Sequence, residues 1–285
     1  MTINIHQPSI TVIVATYNKA NYLAVTLRQL ARQTTLPDEI IIADDGSGKD
    51  TQDVIKAFRV EFPTLTVKHS WHEDQGFRKC AALNKAIRAA TSDYVLFIDD
   101  DCACPAYFIT NHRARTTQGS FTVGSSIHLN NKITQNILDL GNISGFLNLP
   151  KRIKFQLIQA SNPRRRLKLF WRIALSGLAL GRIFDRFYIF SRIFRGGNSG
   201  AWLQDLIKVN GFNEDMTYGH EDKELGIRLQ NAGLKLRQVR YTAVNYHLHH
   251  DRTYVDQKVR KTQELQCRKM RKSGQKICKN GLSLL

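Results

Sequence analysis

Residues 94–104 read YVLFIDDDCAC. Five apolar or aromatic residues, Tyr94 to Ile98, make the pattern of a short buried strand, and it stops at three carboxylates, Asp99, Asp100 and Asp101. Unpaired carboxylates are very costly inside a sheet. The strand must therefore end here, at a mouth open to solvent or to a cation. In an open α/β sheet the carboxyl ends of the strands are where ligands bind. Alternation along an extended segment puts Asp99 and Asp101 on one side, about 6–7 Å apart, so the two can close on one divalent ion. An acidic loop cap without a ligand is the alternative for the triplet taken alone.

Upstream segments repeat the pattern. Residues 10–15 (ITVIVA) are a nearly continuous β-branched run, as expected of a strand buried on both faces, and Thr16, Tyr17 and Asn18 end it. Residues 39–43 form the next strand and stop at Asp44 and Asp45. Between them the pattern predicts a helix from about Tyr22 to Gln33, capped by Asn21, with Leu23, Leu27 and Leu30 inward. Helices over about 51–61 and 81–90 and a strand over 65–69 follow. This alternation argues for a mostly parallel sheet with right-handed crossovers. If the strands are neighbours, the polar clusters at 16–18, 44–47 and 99–101 converge on one crevice. Neither a G-x-G-x-x-G fingerprint nor a Walker A loop accompanies them.

Downstream, residues 121–127 read as a further strand, and 130–162 show no clear period. Over 164–194, at about 100° per residue, Lys168, Arg172, Arg182 and Arg186 fall within about 80° of arc. A narrow basic face thus opposes a broad apolar one, in one unit or in two short helices joined near 177–181. Core helices with solvated arginines and an interfacial membrane segment on an anionic surface both fit. Residues 201–209 read as a helix. Glu221 and Asp222 open another, to about Ala232, where the helix dipole favours acids. A strand over 235–239 precedes the histidine-rich residues 247–250.

The 285 residues suit one large domain or a domain with an appendage, and 42% hydrophobic content can bury a sizeable core. A formal charge of +18 argues for an anionic partner. Residues 151–195 hold 12 basic residues and one acid, and 252–279 hold 10 basic residues and two acids. The aspartate motifs lie elsewhere. Five sparsely spaced cysteines argue against a disulfide framework and for a reducing compartment. Cys102 and Cys104 alone are too few for a metal site. The N-terminus lacks a secretory pattern, and no uncharged apolar run reaches the length of a membrane span.

TVIVATYN, IIIADDGS and FIDDD, within residues 10–48 and 91–104, resemble the front half of a family 2 glycosyltransferase of the GT-A type. Residues 195–225, RGGNSGAWLQDLIKVNGFNEDMTYGHEDKEL, resemble the acceptor and catalytic region of galactosyltransferases and chondroitin polymerases. The expected fold is α/β, a single Rossmann-like nucleotide-sugar domain over 1–250 with a donor half at 8–104, an acceptor half at 195–250 and a basic amphipathic insert at 150–195. A basic helix or tail occupies 251–285.

The resemblance implies an inverting, metal-dependent transfer of a hexose or N-acetylhexosamine from a nucleoside diphosphate sugar, UDP-linked by the galactosyltransferase likeness. The acceptor is a glycan or glycolipid of a bacterial surface polysaccharide, assembled on the cytoplasmic face of the inner membrane. Asp45 then meets the base, Asp99 the ribose or the ion, and Asp101 the Mn2+ or Mg2+. Thr16, Tyr17, Asn18, Asp100, Arg78 and Lys79 complete the donor site. A histidine near the end of the domain is a further metal ligand, His249 before His247. Asp222 is the general base with Glu221 beside it, their roles open to exchange. Gly196, Gly197, Asn198 and Trp202 shape the acceptor pocket, with Trp71 another stacking face. Lys168, Arg172, Arg182 and Arg186 meet the membrane. The alternatives are a metal-dependent nucleotidyltransferase, which lacks its triphosphate loop here, a nucleic-acid-binding protein, whose phosphates the acids would repel, and a non-catalytic glycan-binding protein, which would need broken active-site acids where these are intact.

Overall fold

Three apolar runs and a half-buried edge segment, residues 67–71, become the parallel half of a seven-stranded sheet. The computed structural model describes residues 7–157, 163–187, 194–251 and 257–282. Its strands are β1 (Ile10–Thr16), β2 (Glu39–Asp44), β3 (Val67–Trp71), β4 (Tyr94–Asp99), β5 (Cys102–Ala103), β6 (Ser120–Val123), β7 (Ser125–His128), β8 (Ser199–Trp202), β9 (Lys235–Gln238) and β10 (Val244–His247). The helices are α1 (Ala20–Leu30), α2 (Lys49–Glu61), α3 (Lys79–Ala89), α4 (Phe108–Arg113), α5 (Asn131–Asp139), α6 (Ser144–Asn148), α7 (Lys151–Leu157), α8 (Pro163–Leu175), α9 (Ala179–Phe187), α10 (Leu203–Lys208), α11 (Glu221–Asn231) and α12 (Gln257–Ser273).

The large sheet runs β3-β2-β1-β4-β8-β6-β9, with β8 antiparallel to both neighbours and the other pairings parallel. Alternation sorts its side chains into two cores. Ile13, Ile41, Val95 and Phe97 pack with α3, α11 and α12, while Val12, Val14, Ile40 and Leu96 pack with α1 and α2. Burial on both faces is why these strands read as unbroken apolar runs. A smaller sheet, β5-β10-β7, carries a third core under α5, α6 and α8.

Several boundaries differ from the sequence reading. Residues 121–127 form two strands in two sheets, divided at Gly124. A Cβ there would stand 2.0 Å from the Asn198 amide, so only glycine lets the chain cross that buried side chain. Residues 201 and 202 belong to β8, and the helix starts at Leu203. Helix α1 begins at Ala20 with Lys19 at its cap position and no side-chain cap, so Asn21 does not cap it. The unperiodic 130–162 region contains α5, α6 and α7, too short for a period to show. The basic insert is a pair of helices, α8 and α9, joined at 176–178. Residues 158–162 and 188–193 of that insert lie outside the described residues.

Helix α12 folds back on α11, burying Cys267 and Met270 in the main core. Beneath it Arg228 and Glu224 are both fully buried. The guanidinium donates to both Glu224 oxygens and to the carbonyls of Val209 and Gly211. Removing one member of such a pair leaves an uncompensated buried charge. Glu224→Gln is therefore expected to cost about 3 kcal/mol of stability, read from urea unfolding.

Candidate active site

The carboxyl ends of β1, β2 and β4 open into one cavity of about 350 Å3. Strand register explains the convergence: Thr16 lies beside Asp44, and Ala15 beside Asp99. Thr16, Tyr17, Asp45, Lys79 and the three acids after β4 reach its wall. Opposite them, the rings of Phe77 and Tyr218 meet edge to face with centroids 6.0 Å apart. Tyr17, exposed and donating to Asp74, adds a third aromatic surface.

Three adjacent acids are tolerated because each has its own partner. Asp99 accepts from Lys79 at 2.8 Å, and Asp100 accepts from the Thr16 hydroxyl at 2.8 Å. One Asp101 oxygen accepts from Lys19 at 2.8 Å and lies 3.1 Å from His250 Nε2. The other lies 3.4 Å from His247 Nε2. Burial and the neighbouring Asp101 push the Asp100 carboxyl up to about 7. Burial acts on Asp101 in the same sense, but His250, His247 and Lys19 overcome it and hold Asp101 well below the usual carboxylate range. In turn the hydrogen bond to Asp101 raises the His250 imidazole, against its burial.

The ligand atoms of Asp101, Cys102 and His247 all lie within 4.8 Å of one another. The His250 ring stacks on His247 at 5.3 Å. The three donors are a carboxylate oxygen, an imidazole nitrogen and a thiol sulfur. The oxygen and nitrogen fit a divalent ion, while burial and Asp101 hold the Cys102 thiol well above its usual range. His249, placed first among the histidines by sequence, is not in this group. Strand β10 ends at His247, so alternation fails beyond it. The His249 side chain is 44% exposed and lies 3.9 Å from Asp251.

Helix α11 delivers the second pair of acids, Glu221 and Asp222, which do not line the cavity but lie behind its wall, close to Lys79. Burial opposes the Lys79 ammonium, but Asp99, Asp222 and Glu221 outweigh it and hold the lysine well above its usual range. Lys79 thus ties the β4 acids to those of α11. Glu221 is buried and accepts from the Gly219 N–H at 2.8 Å. Asp222 Oδ1 is shielded from solvent with no hydrogen-bond partner. Burial first, and then the charge of Glu221, push the Asp222 carboxyl up to about 7. Two glycines make the approach possible. A Cβ on Gly196 would meet Asp222 Oδ1 at 2.6 Å, and one on Gly197 would meet Asp99 Oδ2 at 2.9 Å.

The other predicted positions divide. Asp45 lies on the cavity wall, accepting from His72 at 2.8 Å and from the Arg78 N–H at 2.9 Å. The Arg78 side chain points instead to Gln75. Asn18 adopts φ 51° and accepts from the Gly48 N–H, bracing the β2 turn. Asn198 is fully buried, donates to Ser125 and Ala243 and pairs with His112. It therefore pins the two sheets together and has nothing left for an acceptor. Trp202 pairs with Tyr94 at the opposite end of β4, packs on its ring and donates to Thr117. It lies far from the cavity, as the strand assignment of β8 requires. Trp71 sits at a site-side strand end but donates to Ser47 and does not line the cavity. Lys168, Arg182 and Arg186 are exposed, whereas Arg172 turns inward and donates to Ser126.

Residues 11–172 match the model described as glycosyl transferase family 2. The chain belongs to that family. Residues 179–251 match a second model, described as the N-terminal domain of galactosyltransferase. A chondroitin synthase of Escherichia coli is 28% identical over 247 residues, which are 84% of this chain and 34% of that one. This family 2 chain therefore spans about a third of that relative's length. Among solved structures, a mannosyltransferase from Pyrobaculum calidifontis in complex with GDP-Man and Mn2+ superposes with a TM-score of 0.59 at 19% identity, over 92% of this chain and 63% of that one. TarS from S. aureus in complex with UDP-GlcNAc superposes with a TM-score of 0.54 at 17% identity, over 86% of this chain and 60% of that one. At these identities the likeness is one of fold, and the fold is GT-A.

Four contributors to this family 2 site were not picked from sequence. Lys19, His72 and Cys102 carry no local signal beyond residue type, and His250 is separated from the β10 pattern by a change in backbone direction. Cys102, set aside as too few for a metal, is brought to Asp101 and His247 by β5 pairing with β10. Cys104 stays in the core.

Proposed function

We propose that this chain is the sugar-transferring unit of an inverting, metal-dependent glycosyltransferase. It moves a hexose or N-acetylhexosamine from a UDP-linked donor to a glycan or glycolipid of a bacterial surface polysaccharide, as the likeness to a chondroitin synthase suggests. One observation carries the reading: Asp222 presents an unpartnered, shielded carboxylate oxygen next to the Lys79–Asp99 pair that lines the donor-sized cavity.

Asp45 receives the base, between His72 and the Arg78 N–H. Asp101 with His247 and His250 holds Mn2+ or Mg2+, and Asp99 faces ribose or ion. When bound, the metal neutralises the diphosphate and stabilises the leaving group. Lys19 and Lys79, the cations that now balance the acids, face the same anion. Asp222 takes the proton of the acceptor hydroxyl while the new bond to the anomeric carbon forms and the bond to the diphosphate breaks, inverting the centre. Glu221, accepting from the Gly219 amide in the same first turn of α11, raises the basicity of Asp222. Asp99, Asp100 and Asp101 stand here as the acidic motif of the family.

The α8–α9 hairpin carries the membrane contact. Leu167, Phe170, Trp171, Leu180, Ile183 and Phe187 are exposed beside Lys168, Arg182 and Arg186. Apolar and basic groups together suit an anionic bilayer surface. No helix among the described residues is long and apolar enough to cross a membrane. The test of the catalytic reading is slow donor hydrolysis across a panel of nucleotide sugars. UDP-sugars with Mn2+ are expected to be cleaved, and chelation to stop it. No cleavage of any donor would defeat the proposal.

A further inference from the structure

A second cavity, of about 390 Å3, lies where α9 closes against the turn leading into β10. The polar side chains of its floor are tied to the protein. Asn111 donates to the Thr242 carbonyl at 2.8 Å, and the Thr242 hydroxyl donates to Asp185 at 2.6 Å. What remains is cationic. Arg115, Arg182 and Arg186 line the cavity, and Arg237 of β9 stands close enough to act on Arg115. Burial, then the charges of Arg237 and Arg186, lower the Arg115 guanidinium against the opposing pull of Asp185.

Asp185 is the acid that acts on Arg115. It is buried and spends its oxygens on the Tyr241 and Thr242 amides and the Thr242 hydroxyl. No carboxylate of the described residues lies within ion-pair distance of any of the four arginines. Arg115 Nε and Arg237 Nε are shielded from solvent without a hydrogen-bond partner. Clustered guanidinium groups with unspent donors match the oxygens of a phosphate.

The lip of the cavity is apolar. Ile183 is 54% exposed and Phe187 74% exposed. A nucleic acid or a free anion would satisfy the arginines and leave these side chains in water. The interface of an anionic bilayer covers both. We propose that this cavity seats the phosphate of an anionic phospholipid headgroup, with Ile183 and Phe187 entering the acyl boundary beside it. The assignment rests on the membrane contact proposed above and gives it a site. Four residues lie between Thr242 and His247, so the cavity floor is no more than about 18 Å from the metal cluster along the chain. A headgroup seated there holds the transfer site close to a lipid-linked acceptor.

The test uses the full chain and flotation with vesicles of phosphatidylcholine, alone or mixed with phosphatidylglycerol. Arg115→Gln with Arg186→Gln is expected to weaken binding to the mixed vesicles on the order of 30-fold. Lys261→Gln with Lys269→Gln, exposed on α12, removes the same charge and is expected to leave binding within a few-fold. Donor hydrolysis in solution is unchanged in both. The first variant relieves repulsion between like charges, so its Tm does not fall, and lost binding is not lost folding. Glycerol phosphate is expected to raise the Tm of the wild type and of Ile183→Ser with Phe187→Ser, but not of the arginine variant. Equal loss in the arginine and lysine variants would overturn the site in favour of diffuse surface charge. A Tm response without vesicle binding by the wild type would overturn both the lipid assignment and the membrane contact, in favour of a soluble phosphate. Neither result touches the transferase reading, which donor hydrolysis tests separately.

Discussion

Asp222→Asn is expected to lower kcat by about 10³-fold while leaving the donor KM nearly unchanged. The amide keeps the shape beside Gly196 and removes the group that accepts the proton. A donor contact would show the reverse split, a raised KM with kcat retained. The pH profile gives a second reading. Burial and Glu221 lift the Asp222 carboxyl to about 7, and a base works only when ionised. In the wild type kcat/KM should rise with pH and level off above about 7, and the variant should lose that limb. Stability moves the opposite way. The folded-state value lies above the ordinary carboxylate value, so ionisation is disfavoured in the folded protein. That cost begins above the unfolded value near 4 and grows until the folded group titrates. Asp222→Asn should therefore melt higher than the wild type at pH 8 and no higher at pH 4. A variant that keeps full kcat, or loses activity only together with stability, would remove Asp222 from the chemistry.

Strands β1, β2 and β4 were legible because each is buried on both faces, which leaves the sequence no choice of period, whereas β3 at the edge is only half-buried. Ile10 to Ala15 and Tyr94 to Ile98 could not be placed elsewhere. The antiparallel half was not legible, for a reason seen at Gly124 and Gly200. Strands β6, β7 and β8 are four residues each, too short to show alternation, and their boundaries are set by where a side chain cannot fit. Segment 201–209 looks helical by composition, and Ala201 is in a strand only because β4 and β6 flank it.

The candidate site divides along the same line. Acids at strand ends announce themselves, since a buried run that stops at Asp99 or Asp45 must stop for solvent or a ligand. Not every cation that balances them does. Lys19 is an ordinary lysine in sequence, and only the fold sets it 2.8 Å from Asp101. Lys79, expected at the donor site, lies 2.8 Å from Asp99. Of the two histidines expected at the metal, His247 reaches Asp101 and His249 does not, because β10 ends at His247 and the chain beyond it is no longer a strand. Asn198 and Trp202 were misjudged for a different reason. A polar or aromatic residue beside a glycine pair looks like a pocket, yet this asparagine closes hydrogen bonds between sheets and this tryptophan caps the far end of one.

Asp101→Asn is expected to abolish measurable Mn2+ binding and to lower transfer by about 10³-fold or more, the metal's share of transition-state charge stabilisation. Titration calorimetry separates it from Asp100→Asn. The pair shares a proton below about 7, because burial and Asp101 hold Asp100 neutral. Charging Asp100 to meet a dication releases that proton, so wild-type Mn2+ affinity should rise with pH and flatten above about 7. Asp100→Asn should keep only the part of that pH dependence that comes from displacing the His250 proton, and Asp101→Asn should not bind at any pH. Folding reports on the same cluster. Without Asp101, Lys19 and His250 lose the carboxylate that accepts from both. His250 titrates above its ordinary value in the folded protein, so the stability it contributes is fully present below the unfolded value and is lost as pH rises through the folded one. The Tm difference between wild type and Asp101→Asn should thus widen as pH falls from 8 to 6. Full Mn2+ affinity in Asp101→Asn would place the metal elsewhere and break the link between the triplet and the histidines.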